Sequence, residues 1–238
     1  MSTQAASDCE ALCERWQRSF GAHPAWKRIE QSYGEPHRHY HTYAHLQTMF
    51  GAYDEVRVQL HFPEAVELAI WFHDLVYQIN PALYAQNETD SARTMREVLG
   101  LAPLSSPYVE ALPMAEALIL ATRNHCPSEA LLETAERAAD ARLFLDLDML
   151  GMAVMTPHDY EQAIRAEFAP VVGGWVYRIK RAEVLEHFQK QEQIFQSSWG
   201  QSYERAARNN IAAMRAMLPP PWLCRPLVRL IDQLRKYQ

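Results

Sequence analysis

Three short segments of this chain set ionisable side chains among large apolar ones. In Ala69-Ile70-Trp71-Phe72-His73-Asp74-Leu75-Val76-Tyr77 an adjacent imidazole and carboxylate interrupt a run that is apolar almost all round. A helix with that pattern is buried. A buried carboxylate costs several kcal/mol unless it is paired or bound to a metal. A neighbouring His or Arg, or a helix cap, would satisfy Asp74 as well as a cation would. The second segment, His37-Arg38-His39-Tyr40-His41-Thr42-Tyr43-Ala44-His45, holds four of the chain's 10 histidines. His41 and His45 are four apart, so a helix presents both on one face. Taken alone, the cluster also reads as a polar surface loop. The third segment, Phe144-Leu145-Asp146-Leu147-Asp148-Met149-Leu150, carries two acids at i and i+2. One could be a cap; two on opposite sides of a helix cannot both be. A ligand role for one and a supporting or capping role for the other is the economical reading. Neutral imidazoles and ionised carboxylates converging from separate elements are what a divalent metal requires.

The elements that must position these groups read as helices. The chain of 238 residues has only 8 glycines, long stretches between breakers and helical periodicity nearly throughout. No alternating run suggests a sheet. The spacing predicts helices over residues 6–20 and 43–57, with an ordered polar loop between residues 31 and 43. Pro63 opens the next helix, expected to end near Tyr77. Others are expected over 87–99, from Pro107 and Pro113 to near His125, and as one or two helices within 131–150. Thr156-Pro157 supplies a hydroxyl cap and a first-turn proline, and the helix it starts should end before Pro170. The last helices are expected over 175–197, 203–217 and 221–236. A linker at the Pro219-Pro220-Pro221 cluster would leave too little chain for another domain. The expected fold is therefore all-α and a single domain, with a metal-binding core at about 40–151 and C-terminal helices at 157–236 packed on it.

Composition narrows the functions. Hydrophobic residues make up 48% and the formal net charge is −6, which argues against a nucleic-acid partner. The longest apolar stretch, residues 65–77, is broken by Glu67, His73 and Asp74 and is too short to span a bilayer. No basic start followed by an apolar run marks a signal peptide. Cys9, Cys13, Cys126 and Cys224 form no CxxC pair and read as free thiols, so a cytoplasmic location is expected, without a membrane partner.

The order His, then His-Asp, then Asp resembles the HD superfamily of metal-dependent phosphohydrolases, and within it an uncharacterised bacterial group of predicted HD-type phosphohydrolases. The segments that carry the resemblance are Tyr40-His41-Thr42-Tyr43-Ala44-His45, Trp71-Phe72-His73-Asp74-Leu75-Val76-Tyr77, Asn87-Glu88-Thr89-Asp90-Ser91-Ala92 and Asp146-Leu147-Asp148-Met149-Leu150-Gly151, with Glu204 and Ala207-Arg208-Asn209 downstream. They span about residues 30–215. The resemblance implies a helical bundle of the HD type and one divalent ion (Mn, Fe, Co, Ni, Zn or Mg) on His45, His73, Asp74 and Asp148, with His41 the alternative to His45. It implies hydrolysis of a nucleotide or another small phosphorylated metabolite by metal-activated water. Asp74, Glu88, Arg123 and His125 are the expected catalytic set: Arg123 and His125 facing phosphate, Glu88 orienting water or acting as base. Local accounts stand beside these: a helix-terminal His125, a first-turn acid at Glu88, and a Glu204–Arg208 pair. A sensory module that binds metal and ligand without turnover, and an HD-type di-iron oxygenase using His41 and His125, are the competing functions. A homodimer is compatible with the sequence.

Overall fold

Scarce glycine and 3.6-residue periodicity produce helices along nearly the whole chain. The computed structural model describes residues 3–80 and 82–218. Within them lie α1 (Thr3–Phe20), α2 (Trp26–Tyr33), α3 (Tyr43–Val56), α4 (Pro63–Phe72), α5 (Asn87–Leu99), α6 (Ser106–Ala121), α7 (Ala135–Met149), α8 (Gly151–Val154), α9 (Pro157–Val172), α10 (Gly174–Lys190) and α11 (Glu204–Ala216). No strand occurs among the described residues, so the chain is all-helical there. None of these helices is long and apolar enough to cross a membrane. The Pro219-Pro220-Pro221 cluster, Cys224 and the helix expected over 221–236 lie outside the described residues.

Helix α4 is the centre of the molecule. Every residue from Ala65 to Phe72 is buried, which its all-round apolar sequence requires. It packs mainly against α6 and also against α3, α5 and α7. Pro63 sits in its first turn, and Asp140 of α7 accepts hydrogen bonds from the His61 and Phe62 amides just ahead of it. One apolar core is built from α1 to α7 around Trp16, Trp71, Phe72 and Phe144. A second gathers residues of α8 to α11 with Tyr40 and Met149.

Several boundaries differ from the sequence expectation. Residues 31–33, expected in a loop, close α2, because Ile29, Ser32 and Tyr33 turn one face into the core and only the other is polar. Helix α4 ends at Phe72 rather than near Tyr77. The Arg38 guanidinium donates to the carbonyls of Asp74 (2.6 Å) and Leu75 (3.1 Å), and the Val76 amide turns to the Ser91 hydroxyl (2.9 Å). Pro113 and Pro170 lie inside α6 and α9 instead of bounding them. Both face solvent, where the carbonyl that a proline leaves unpaired can reach water. Helix α10 stops at Lys190 and residues 191–203 form a loop, since two carboxylates take up its amides: Glu204 those of Ile194 and Phe195, Asp146 those of Gln196 and Ser197.

Candidate metal centre

Each candidate ligand sits at the end of an element. His45 is in the first turn of α3, His73 and Asp74 follow the last turn of α4, and Asp148 is in the last turn of α7. The ends converge. His45 Nε2 lies 3.2 Å from His73 Nε2. Asp148 Oδ1 is 3.3 Å from the first nitrogen and 3.5 Å from the second. Asp74 Oδ2 is 3.0 Å from His73 Nε2 and 4.0 Å from His45 Nε2. Both imidazoles are buried, and the two carboxylates are less than one-fifth exposed.

The chemistry of this donor set fits a cation. His73 Nδ1 donates to the Ile70 carbonyl at 3.0 Å, so a neutral ring presents its Nε2 lone pair to the cluster. Burial drives the His45 pKa below its ordinary value despite Asp148, which favours the neutral, ligating form. Burial also pushes His73 down, but Asp74 and then Tyr33 and Asp148 outweigh it and hold it well above 6.5. Burial raises Asp74, and His73 and His41 reverse that and keep it well below the usual carboxylate range. Asp148 is likewise held low against burial, by His125, His45 and His73. Two ring nitrogens at 3.2 Å are held either by a hydrogen bond, one ring donating its N–H to the other's lone pair, or by a metal ion between two lone pairs. His45, His73 and Asp74 offer atoms all within 4.8 Å of one another and could hold a metal ion, and Asp148 Oδ1 faces the same nitrogens.

His41 stands beside this cluster, turned elsewhere. Its Nδ1 is 2.9 Å from Glu167 Oε2, and its Nε2 is 4.0 Å from Asp74 Oδ2. Glu167, on α9, is completely buried and accepts the amides of His39, Tyr40 and His41 at 2.8, 2.8 and 3.0 Å. Burial would raise its pKa, but His41 and these amides bring it down to about 2. Of the two candidate first ligands, His45 has the closer approach to His73 and Asp148, while His41 is oriented by a carboxylate.

The other sequence candidates divide into two groups. His125, in the turn after α6 rather than at its end, places Nε2 3.2 Å from Asp148 Oδ2. Arg123 is half-exposed, bonded to Glu88 (3.1 Å) and to the Thr89 hydroxyl (2.8 Å), which ties the turn to α5. Glu88 makes that bond and none to the four-residue cluster among the described residues. Glu204 anchors the loop after α10 and pairs with Arg208 at 2.7 Å, while Arg208 reaches the Gln191 and Glu192 carbonyls. This is the local, structural account of that motif.

Sequence reasoning missed Arg38, Glu167 and Gln196. Arg38 has a fully buried side chain held over Tyr33 and Tyr77, and it fixes the backbone at Asp74. Glu167 had a readable signal: it falls on the apolar stripe of α9 with Tyr160 and Ile164, at i, i+4 and i+7. Gln196 had none. Comparisons with protein-family models, with curated proteins and with solved structures found no match in any of the three.

Proposed function

We propose that this chain is a metal-dependent phosphohydrolase of the HD superfamily, with the helical bundle of that type, acting on a nucleotide or another small phosphorylated metabolite. The observation that carries the reading is the convergence of His45 Nε2, His73 Nε2, Asp74 Oδ2 and Asp148 Oδ1 from the ends of three helices. Held there, a divalent ion such as Mn, Fe, Co, Ni, Zn or Mg would act as a Lewis acid toward a phosphoryl oxygen and lower the pKa of the attacking water. The chain's own groups divide the remaining work. Arg38 and the Ile70 carbonyl hold Asp74 and His73 in place. His41, pinned through Nδ1 by Glu167, offers Nε2 beside Asp74 as a place for a proton. His125, about one-third exposed, and Arg123 stand where an anionic substrate could meet them, Arg123 by exchanging Glu88 for a phosphate oxygen.

The test is phosphate release by the full chain. Metal is first stripped by chelation, and Mn, Co or Ni is then returned before a screen over nucleotides and sugar phosphates. Activity should vanish on chelation and return with metal. Release no greater than that of Asp74→Ala with every metal and substrate would leave a binding module, without turnover, as the better reading. One observation favours a second chemistry: His41 and His125 flank the cluster at 4.0 Å from Asp74 and 3.2 Å from Asp148. Two irons per chain, and oxygen uptake in place of phosphate release, would identify the di-iron oxygenase.

A further inference from the structure

His125 is the only non-glycine residue among those described with a positive φ, 51°. This left-handed conformation strains an L-residue and persists only where the surroundings impose it. Here the surroundings are identifiable. The Gln196 side-chain amide donates to the His125 carbonyl at 2.8 Å, and the Cys126 amide bonds back to Ala121 at 3.3 Å. Gln196 is itself fixed by Asp146, whose carboxylate accepts the Gln196 amide (2.7 Å), the Ser197 amide (2.7 Å) and the Ser197 hydroxyl (2.6 Å). Gly200 closes over the same carboxylate: a Cβ there would come within 2.2 Å of Asp146 Oδ2. The chain of contacts therefore runs from Asp146 through Gln196 to the His125 backbone. From the His125 ring it returns to Asp148, two residues from where it began.

We propose that Gln196 is a positioning residue which, by holding the strained His125 turn, keeps the imidazole on Asp148 Oδ2 so that Asp148 faces the metal centre through Oδ1 alone. His125 Nε2–H donates to Oδ2 at 3.2 Å, while Oδ1 looks at His45 and His73. A carboxylate hydrogen-bonded on one oxygen binds a cation through the other, which leaves a coordination position open for water or substrate. Freed of His125, the same carboxylate can chelate through both oxygens and close that position. This inference rests on the metal reading of the cluster.

The experiment is a cobalt(II) titration of the full chain followed by visible absorption, whose intensity falls as the coordination number of the ion rises. Gln196→Glu and Gln196→Met keep the length of the side chain and remove its N–H donor; either one that melts like the unmodified chain serves. His125→Ala removes the donor to Asp148 directly. The expected result is a weaker cobalt band and affinity lower by roughly 10-fold in both the Gln196 and His125 variants, as is usual for groups that orient a ligand. The double variant should bind no more weakly than His125→Ala alone, because both changes break one path. A Gln196 variant with the spectrum and affinity of the unmodified chain would overturn the proposal. So would a double variant whose loss is the product of the two single losses. An unmodified chain that takes up no cobalt would instead refute the metal reading itself.

Discussion

Asp146 and Asp148 lie two residues apart on α7, the first buried and the second nearly so, yet their surroundings have opposite electrostatics. Asp148 meets three imidazole nitrogens, of His45, His73 and His125, and its pKa is held far below normal. Asp146 meets two backbone amides and a serine hydroxyl, and burial lifts its pKa to about 6 against them. Asp140, on the same helix, also binds backbone amides. Burial of an acid is therefore no mark of a ligand; what faces it decides. Imidazoles leave a place for a cation, whereas amides make the acid a staple for a loop or a helix start.

The largest test of this contrast is metal occupancy. Asp148→Ala and Asp74→Ala should purify without metal, and Asp146→Ala should keep one ion per chain by elemental analysis. Loss of metal from Asp146→Ala alone would exchange the two roles. Stability should divide the other way. Asp146→Ala leaves the Gln196 and Ser197 donors without their acceptor and should lower unfolding free energy by about 3 kcal/mol in urea titrations. Asp148→Ala should leave the 191–203 loop anchored, since the hydrogen bond its carboxylate makes is to the His125 ring and not to that loop.

Glu167 joins the two kinds of site, because it binds both amides and an imidazole. Its pKa of about 2, against an ordinary 4.5, makes its stabilising contribution complete above 4.5 and lost as pH falls toward 2. Glu167→Gln should therefore flatten stability against pH across that window and cost about 1–3 kcal/mol at neutral pH. An acid-unfolding curve of unchanged shape would show that Glu167 is not the group whose titration sets it.

The smallest expected effect belongs to Asp146. Its raised pKa means that the folded chain favours the protonated acid, so stability should decline as pH rises from 3.8 through about 6. Asp146→Asn should remove that decline. A variant with the same slope would assign it to other groups.

How much of this was legible follows from how local each cause is. All-α architecture was readable because few glycines and a 3.6-residue period act residue by residue, and Thr156-Pro157 starts α9 as its local chemistry requires, the Thr156 hydroxyl accepting the Asp159 amide at 3.2 Å. The acids and histidines drew notice because charge in an apolar run is a local anomaly. Which of them meet is not a local property. His45 and His73 are 28 positions apart and Asp148 is 75 beyond His73, and their convergence depends on where three helices end. Those ends were set from a distance: α4 stops at Phe72 because Arg38 takes its next carbonyls, and His41 turns aside because Glu167, 126 residues later, holds it. Sequence thus determined which groups were costly to bury. Only tertiary packing decided what each one faces, because a side chain's partner is chosen by distance in space.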